Sequence, residues 1–184
     1  MWWFYTVILG MSFGQVLSEL AIAVRDWARH PDRRPFIPAM MWQVFLLVLV
    51  VEVWLAVTYY RQTVTTVGIG ELLAFLAVPA GILIMSFLLP ADQDATAFDR
   101  VRPLFFGVLV VLVGINLLHG FAIGQQGWDA DLLFQSLIIA GAIAGLFVRG
   151  GTADLVLAVM MIGVVATYIG VCYSTVAVDA GGAG

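Results

Sequence analysis

Long apolar runs alternate along this chain with short polar segments. A helix that crosses a bilayer takes about 20 mainly apolar residues, and the runs at 2–24, 38–60, 69–89, 103–123, 132–148 and 155–176 meet that need. Helices are predicted rather than barrel strands. Hydrocarbon leaves no partner for an unsatisfied backbone group, and the runs are too long and too uniformly apolar to alternate as barrel strands do. The punctuation agrees: Pro38 and Pro103 fall in the first turn of their spans, where a missing N–H costs nothing, and Pro90 stops the third. Glu71, Asp129, Asp131, Thr152 and Asp154 stand near predicted helix starts. There the orphan N–H groups and the helix dipole favour them, so they read as end groups rather than catalytic ones.

The expected fold is therefore all-α: a polytopic membrane helical bundle of about six transmembrane helices, one transmembrane domain over 1–184. Composition sharpens this. At 62% hydrophobic and 11% charged residues, the chain is far from the roughly 25% charged of soluble domains, and its short connections leave no room for a soluble domain. The aromatic start, Met1-Trp2-Trp3-Phe4-Tyr5, has no basic segment and no small-residue cleavage site, so it reads as a retained first span. The last residues, 179–184, are small and are expected to be poorly ordered.

Charge sets the expected orientation. Arg25, Arg29, Arg33 and Arg34 occupy the first connection, Arg100 and Arg102 the third and Arg149 the fifth, with Arg61 alone on the other side. The positive-inside rule makes those three loops cytoplasmic and puts both ends of the chain outside. Trp2, Trp3, Trp27, Trp42 and Trp128 fall near the predicted interfaces and read as anchors. A net charge of −4 argues against a nucleic-acid partner. The single Cys172 excludes an intrachain disulfide, and the absence of lysine excludes a retinal Schiff base.

Trp54, Phe75-Leu76, Pro79, Leu89-Pro90, Asp92, Asp94, Phe98, Arg102 and Phe105-Phe106 together resemble a group of small, uncharacterised bacterial inner-membrane proteins. The resemblance covers about the first two thirds of the chain. It implies a bacterial cytoplasmic-membrane address and brings no activity with it.

Candidate chemistry lies in polar residues within the spans, which are costly in hydrocarbon. Depth groups them. At about 1.5 Å per residue, Glu52 lies roughly 21 Å from the cytoplasmic start of its helix, and Asn116 and His119 roughly 20–24 Å from theirs. Gln135, Thr167 and Tyr168 reach a similar level, so Glu52, Asn116, His119, Gln135, Thr167 and Tyr168 form a candidate outer polar cluster in which Glu52 and His119 are expected to approach. Gln15 and Glu19, one turn apart, form a candidate inner pair. Pro79 in the third span predicts a kink. Gly10-xxx-Gly14 and Gly141-xxx-Gly145 offer faces for close helix approach. A weak match of the first span to the fourth, with Gln15 opposite Asn116 and Ser18 opposite His119, raises an inverted repeat.

No phosphate loop, nucleophile elbow, zinc-helix motif or haem-attachment motif is present. One intramembrane histidine excludes bis-histidine haem and leaves a His–Met pair only formally open. No enzyme, cofactor or metal is expected. The expected function is a non-catalytic accessory, scaffolding or sensing subunit, with the bilayer and a homo-oligomer or other membrane subunits as partners. The alternative is a small proton, cation or solute channel or transporter using Glu19, Glu52 and His119.

Overall fold

The computed structural model describes residues 2–29, 36–63, 68–90, 94–122 and 130–173. They form six helices: α1 (Trp2–Arg29), α2 (Ile37–Thr63), α3 (Ile69–Phe87), α4 (Ala95–Ala122), α5 (Ala130–Phe147) and α6 (Gly151–Cys172). No strand occurs among the described residues. Five helices, all but α3, are long and apolar enough to cross a membrane. In α3 the apolar part is Leu72–Phe87, about 24 Å of helix against a hydrocarbon core of about 30 Å. The chain is an all-α helical bundle of membrane character.

Helix ends follow the local chemistry. Pro38 sits in the first turn of α2, and Leu89-Pro90 follows the end of α3. The fourth helix departs from the sequence reading. The Asp94 carboxylate accepts a hydrogen bond from the Ala97 N–H at 2.7 Å, an N-terminal cap that starts the helix well before residue 103. Pro103 is therefore inside α4, not in its first turn. Between α5 and α6 the chain turns within three residues, at Gly150 with φ 115°, a conformation that side chains with a Cβ rarely adopt. The 179–184 tail lies outside the described residues.

Each helix packs on two main neighbours in the order α1, α2, α6, α5, α4, α3 and back to α1, with a smaller α2–α3 contact. The close-approach glycines divide. A Cβ on Gly141 would overlap Met161 of α6, and one on Gly145 would overlap Phe106 of α4, whereas Gly10 and Gly14 of α1 meet nothing. The halves do not repeat: α1 packs on both α2 and α3, while α4 packs on α5 and α3. Helix α3 runs through Pro79 without a break. There the fully buried Ser12 hydroxyl reaches the Pro79 carbonyl at 3.5 Å.

Trp42 corrects an expectation. It is not an interfacial anchor but fully buried, edge-on to Phe45, Phe105 and Phe106 with centroids 5.4, 5.7 and 4.9 Å away. It belongs to the inward stripe of α2, with Phe45, Leu46, Leu49 and Val53, at the spacing of one helix face. Trp3 and Trp27 are exposed. Trp128 and the Trp2 side chain lie outside the described residues.

Candidate functional site

Polar side chains gather at two levels. At one end of the bundle are five of the six described arginines: Arg25 and Arg29 close α1, Arg100 and Arg102 open α4, and Arg149 follows α5, while Arg61 stands in the last turn of α2. Arg102 is 1% exposed and carries the whole level. Its Nη1 and Nη2 donate to the two oxygens of Asp154, each at 2.7 Å, a bidentate pair. Nε donates to Asp99 at 3.0 Å. Nη1 also reaches the Gly145 and Val148 carbonyls at 3.1 and 2.6 Å, and the guanidinium lies 4.8 Å from the Phe98 ring centroid. Those carbonyls belong to the C-terminal turn of α5, where acceptors are left over and the dipole is negative. Asp154, also 1% exposed, lies in the first turn of α6, where the dipole favours an anion. One side chain thus joins α4, α5 and α6.

Asp154 stands in the first turn of α6 as expected, and its carboxylate also holds Arg102. The N-cap of α6, Gly150, makes no side-chain capping bond, and the carboxylate is spent on Arg102. Nearby, the buried Gln43 amide donates to the Leu89 carbonyl at 2.7 Å, closing the C-terminal end of α3.

At the opposite end, tyrosines and carboxylates predominate. Gln135 Nε2 donates to both Asp131 oxygens at 2.9 Å, and the Tyr168 hydroxyl donates to the same carboxylate. The Tyr173 hydroxyl lies 3.4 Å from Glu52 Oε1. Glu52 is within electrostatic range of Asp131, and Tyr5 is within range of Glu52 and Tyr173. The rings pack as well: Tyr168 lies 5.8 Å from Tyr173 and 5.3 Å from Phe134, and Tyr5 lies 6.1 Å from Phe75. Tyr5, Gln135 and Tyr168 are buried, and Glu52, Asp131 and Tyr173 form a half-buried rim.

Of the residues expected in this cluster, the structure brings together Glu52, Gln135 and Tyr168. Asn116 and Thr167 are exposed, and the Thr167 hydroxyl donates to Gly163 O of its own helix at 2.7 Å. Depth alone placed them with the others; rotation about the helix axis takes Thr167 out, whereas Asn116 continues the inward stripe of α4 past Phe105, Leu109 and Leu112 and is exposed there. The His119 side chain lies outside the described residues. Asp131, Tyr5 and Tyr173 were missed. Asp131 had a sufficient local explanation as an acid in a first turn, and the tyrosines sit at helix ends where aromatic anchors are common. Gln15 Nε2 donates to Glu19 Oε1 at 3.0 Å along α1, both half-buried.

Between the two levels the buried faces of α2 and α6 are apolar. From Asp154 to Tyr168 the axis of α6 rises about 21 Å, past the buried Ala158, Met161 and Val165. From Gln43 to Glu52, α2 rises about 14 Å, past the buried Phe45, Leu46, Leu49 and Val50. Ser12, the buried polar residue of α1 in this belt, is tied to the Ile8 and Pro79 carbonyls. Among the described residues no group of three or more His, Cys, Asp or Glu side chains is placed to hold a metal ion.

No family model, curated protein or solved structure matches the chain. The side chains themselves carry the functional reading.

Proposed function

We propose that this chain is a non-catalytic integral membrane protein of the bacterial inner membrane, an accessory, scaffolding or sensing subunit of a homo-oligomer or larger membrane complex, with both ends of the chain outside. The observation that carries this reading is the apolar belt between the two polar levels. Ionisable groups in a membrane protein often mark a conduction path. Here Arg102 and Asp154 close on each other, Glu19 has Gln15, and the groups around Glu52 stay at one end. A proton or ion crossing the bundle would have to pass about 14–21 Å of buried aliphatic and aromatic side chains.

The outward face of α1 supports association. Val7, Gly10, Gly14, Leu17, Ala21 and Val24 are all exposed, at alternating steps of three and four residues. That seam suits a second helix, with the glycines allowing close approach.

Transport is the second reading, favoured by the half-buried carboxylates at the tyrosine end. Purified protein in liposomes decides between the two. Under imposed proton, sodium or potassium gradients, flux should equal that of protein-free vesicles for the wild type and for Glu19→Gln. A flux that depends on Glu19 establishes transport instead.

A further inference from the structure

The tyrosine end contains acceptors that the fold does not use. Gln135 is 4% exposed, its Nε2 is committed to Asp131, and its Oε1 has no partner. A buried carbonyl oxygen without a donor is costly and calls for an explanation such as a ligand. Among the described residues Glu52 receives only the long 3.4 Å contact from Tyr173, on one of its two oxygens. The Tyr173 hydroxyl is beside Glu52 and the Tyr168 hydroxyl beside the Asp131 carboxylate that holds Gln135, with the two rings inclined at 66°, and Tyr5 lies on the Glu52 side.

We propose that Glu52, Gln135, Tyr5, Tyr168 and Tyr173 form a binding site for a small primary alkylammonium ion. A primary ammonium group has three N–H donors. The carboxylate of Glu52, the free Oε1 of Gln135 and a phenol oxygen are the acceptors it needs, and aromatic faces attract the cationic head and its short alkyl group. The absence of a three-ligand cluster among the described residues makes a divalent metal a poor fit. A quaternary ammonium ion would satisfy the rings but leave Gln135 Oε1 without a donor.

Among the described residues, burial on α4 ends at this level. The inward stripe of α4 runs through Phe105, Leu109 and Leu112, all buried, and then reaches Asn116 at the same spacing, which is exposed. This inference rests on the sensing reading given above and supplies its ligand class, and the half-buried rim of Glu52 and Tyr173 is where binding would be felt.

Isothermal titration of the full chain in nanodiscs tests it, with ethylammonium as probe and tetramethylammonium and potassium as comparators at constant ionic strength. Saturable ethylammonium binding is expected, weakened about tenfold or more by Glu52→Gln, since a hydrogen bond to a charged group is lost. Tyr173→Phe should weaken it less, and it serves in place of Glu52→Gln if that variant does not fold. Both comparators should bind at least about tenfold more weakly. Absence of saturable binding overturns the site, as does binding indifferent to both substitutions or equal binding of potassium or tetramethylammonium. Liposome flux separates the two proposals: binding with flux keeps the site and removes the non-transport reading, whereas neither binding nor flux removes the site and leaves that reading standing.

Discussion

The two ends of the bundle treat buried charge in opposite ways. At the arginine end a cation is enclosed by two carboxylates and two backbone carbonyls, and Arg102 and Asp154 are each 1% exposed. At the tyrosine end two carboxylates face phenols and an amide, the rim is half-buried and a buried acceptor is left over. A charge balanced and satisfied on every side has nothing left to offer a ligand, and its removal is felt as instability. A cluster with spare acceptors contributes less to the fold and more to recognition. Burial of an ionisable group thus does not by itself mark a functional site, and neither does an unpartnered amide oxygen, since Gln43 Oε1 at the arginine end also has no partner; what sets the tyrosine end apart is such an acceptor together with a half-buried carboxylate, Glu52, held only by a long contact.

The largest effect is expected where the contrast is sharpest. Arg102→Met leaves Asp154 buried without its cation and should cost about 3–5 kcal/mol, read as the loss of midpoint in thermal or detergent unfolding. Arg102→Met combined with Asp154→Leu should recover most of the loss, because no uncompensated charge remains. If the double variant is as unstable as the single one, the pair does more than balance charge. At the other end Tyr168→Phe removes the donor to Asp131 and should cost about 1–3 kcal/mol, while Tyr173→Phe, with its longer contact, should cost less than about 1 kcal/mol. Equal losses at the two tyrosines would erase the division between floor and rim.

Packing gives a comparison of similar size. Gly145→Ala drives a Cβ into Phe106, and overpacking of this kind costs about 1–3 kcal/mol. Gly10→Ala meets nothing within 4 Å and should raise monomer stability by about 0.5–1 kcal/mol, because Ala favours the helix over Gly. The smallest effect is expected at Thr167, whose side chain is exposed and bonded to its own helix. Thr167→Ala should stay within about 0.5 kcal/mol, and a larger loss would return Thr167 to the cluster from which the structure excludes it.

The helices were legible because apolar runs of membrane length leave little choice of backbone, and Pro38 and Pro90 marked their ends. The start of α4 was not, because the eight residues before Pro103 are polar enough to read as a loop until Asp94 is seen capping them. Arg102 and Asp154 were both noticed, yet each had a sufficient local reason, orientation for one and the helix dipole for the other. Nothing in a single sequence joins positions 52 residues apart. The tyrosine end was half legible. Counting residues from helix starts fixes depth but not rotation or burial, so Glu52, Gln135 and Tyr168 were grouped together with Thr167, which faces outward, and with Asn116, which is exposed. Trp42 failed for the same reason: its distance from the helix end suited an anchor, and only the register of α2 turns it inward.

The central claim is that an apolar belt separates the two ends. Cysteine accessibility tests it most directly, in a Cys172→Ala background reconstituted in a bilayer and treated with a charged, membrane-impermeant thiol reagent. Asn116→Cys should be labelled from one side of the membrane, while Met161→Cys, at the buried middle of α6, should stay unlabelled from either side. Labelling of Met161→Cys at a rate comparable to Asn116→Cys would mean that water passes through the belt, and the account of two isolated polar levels would be wrong.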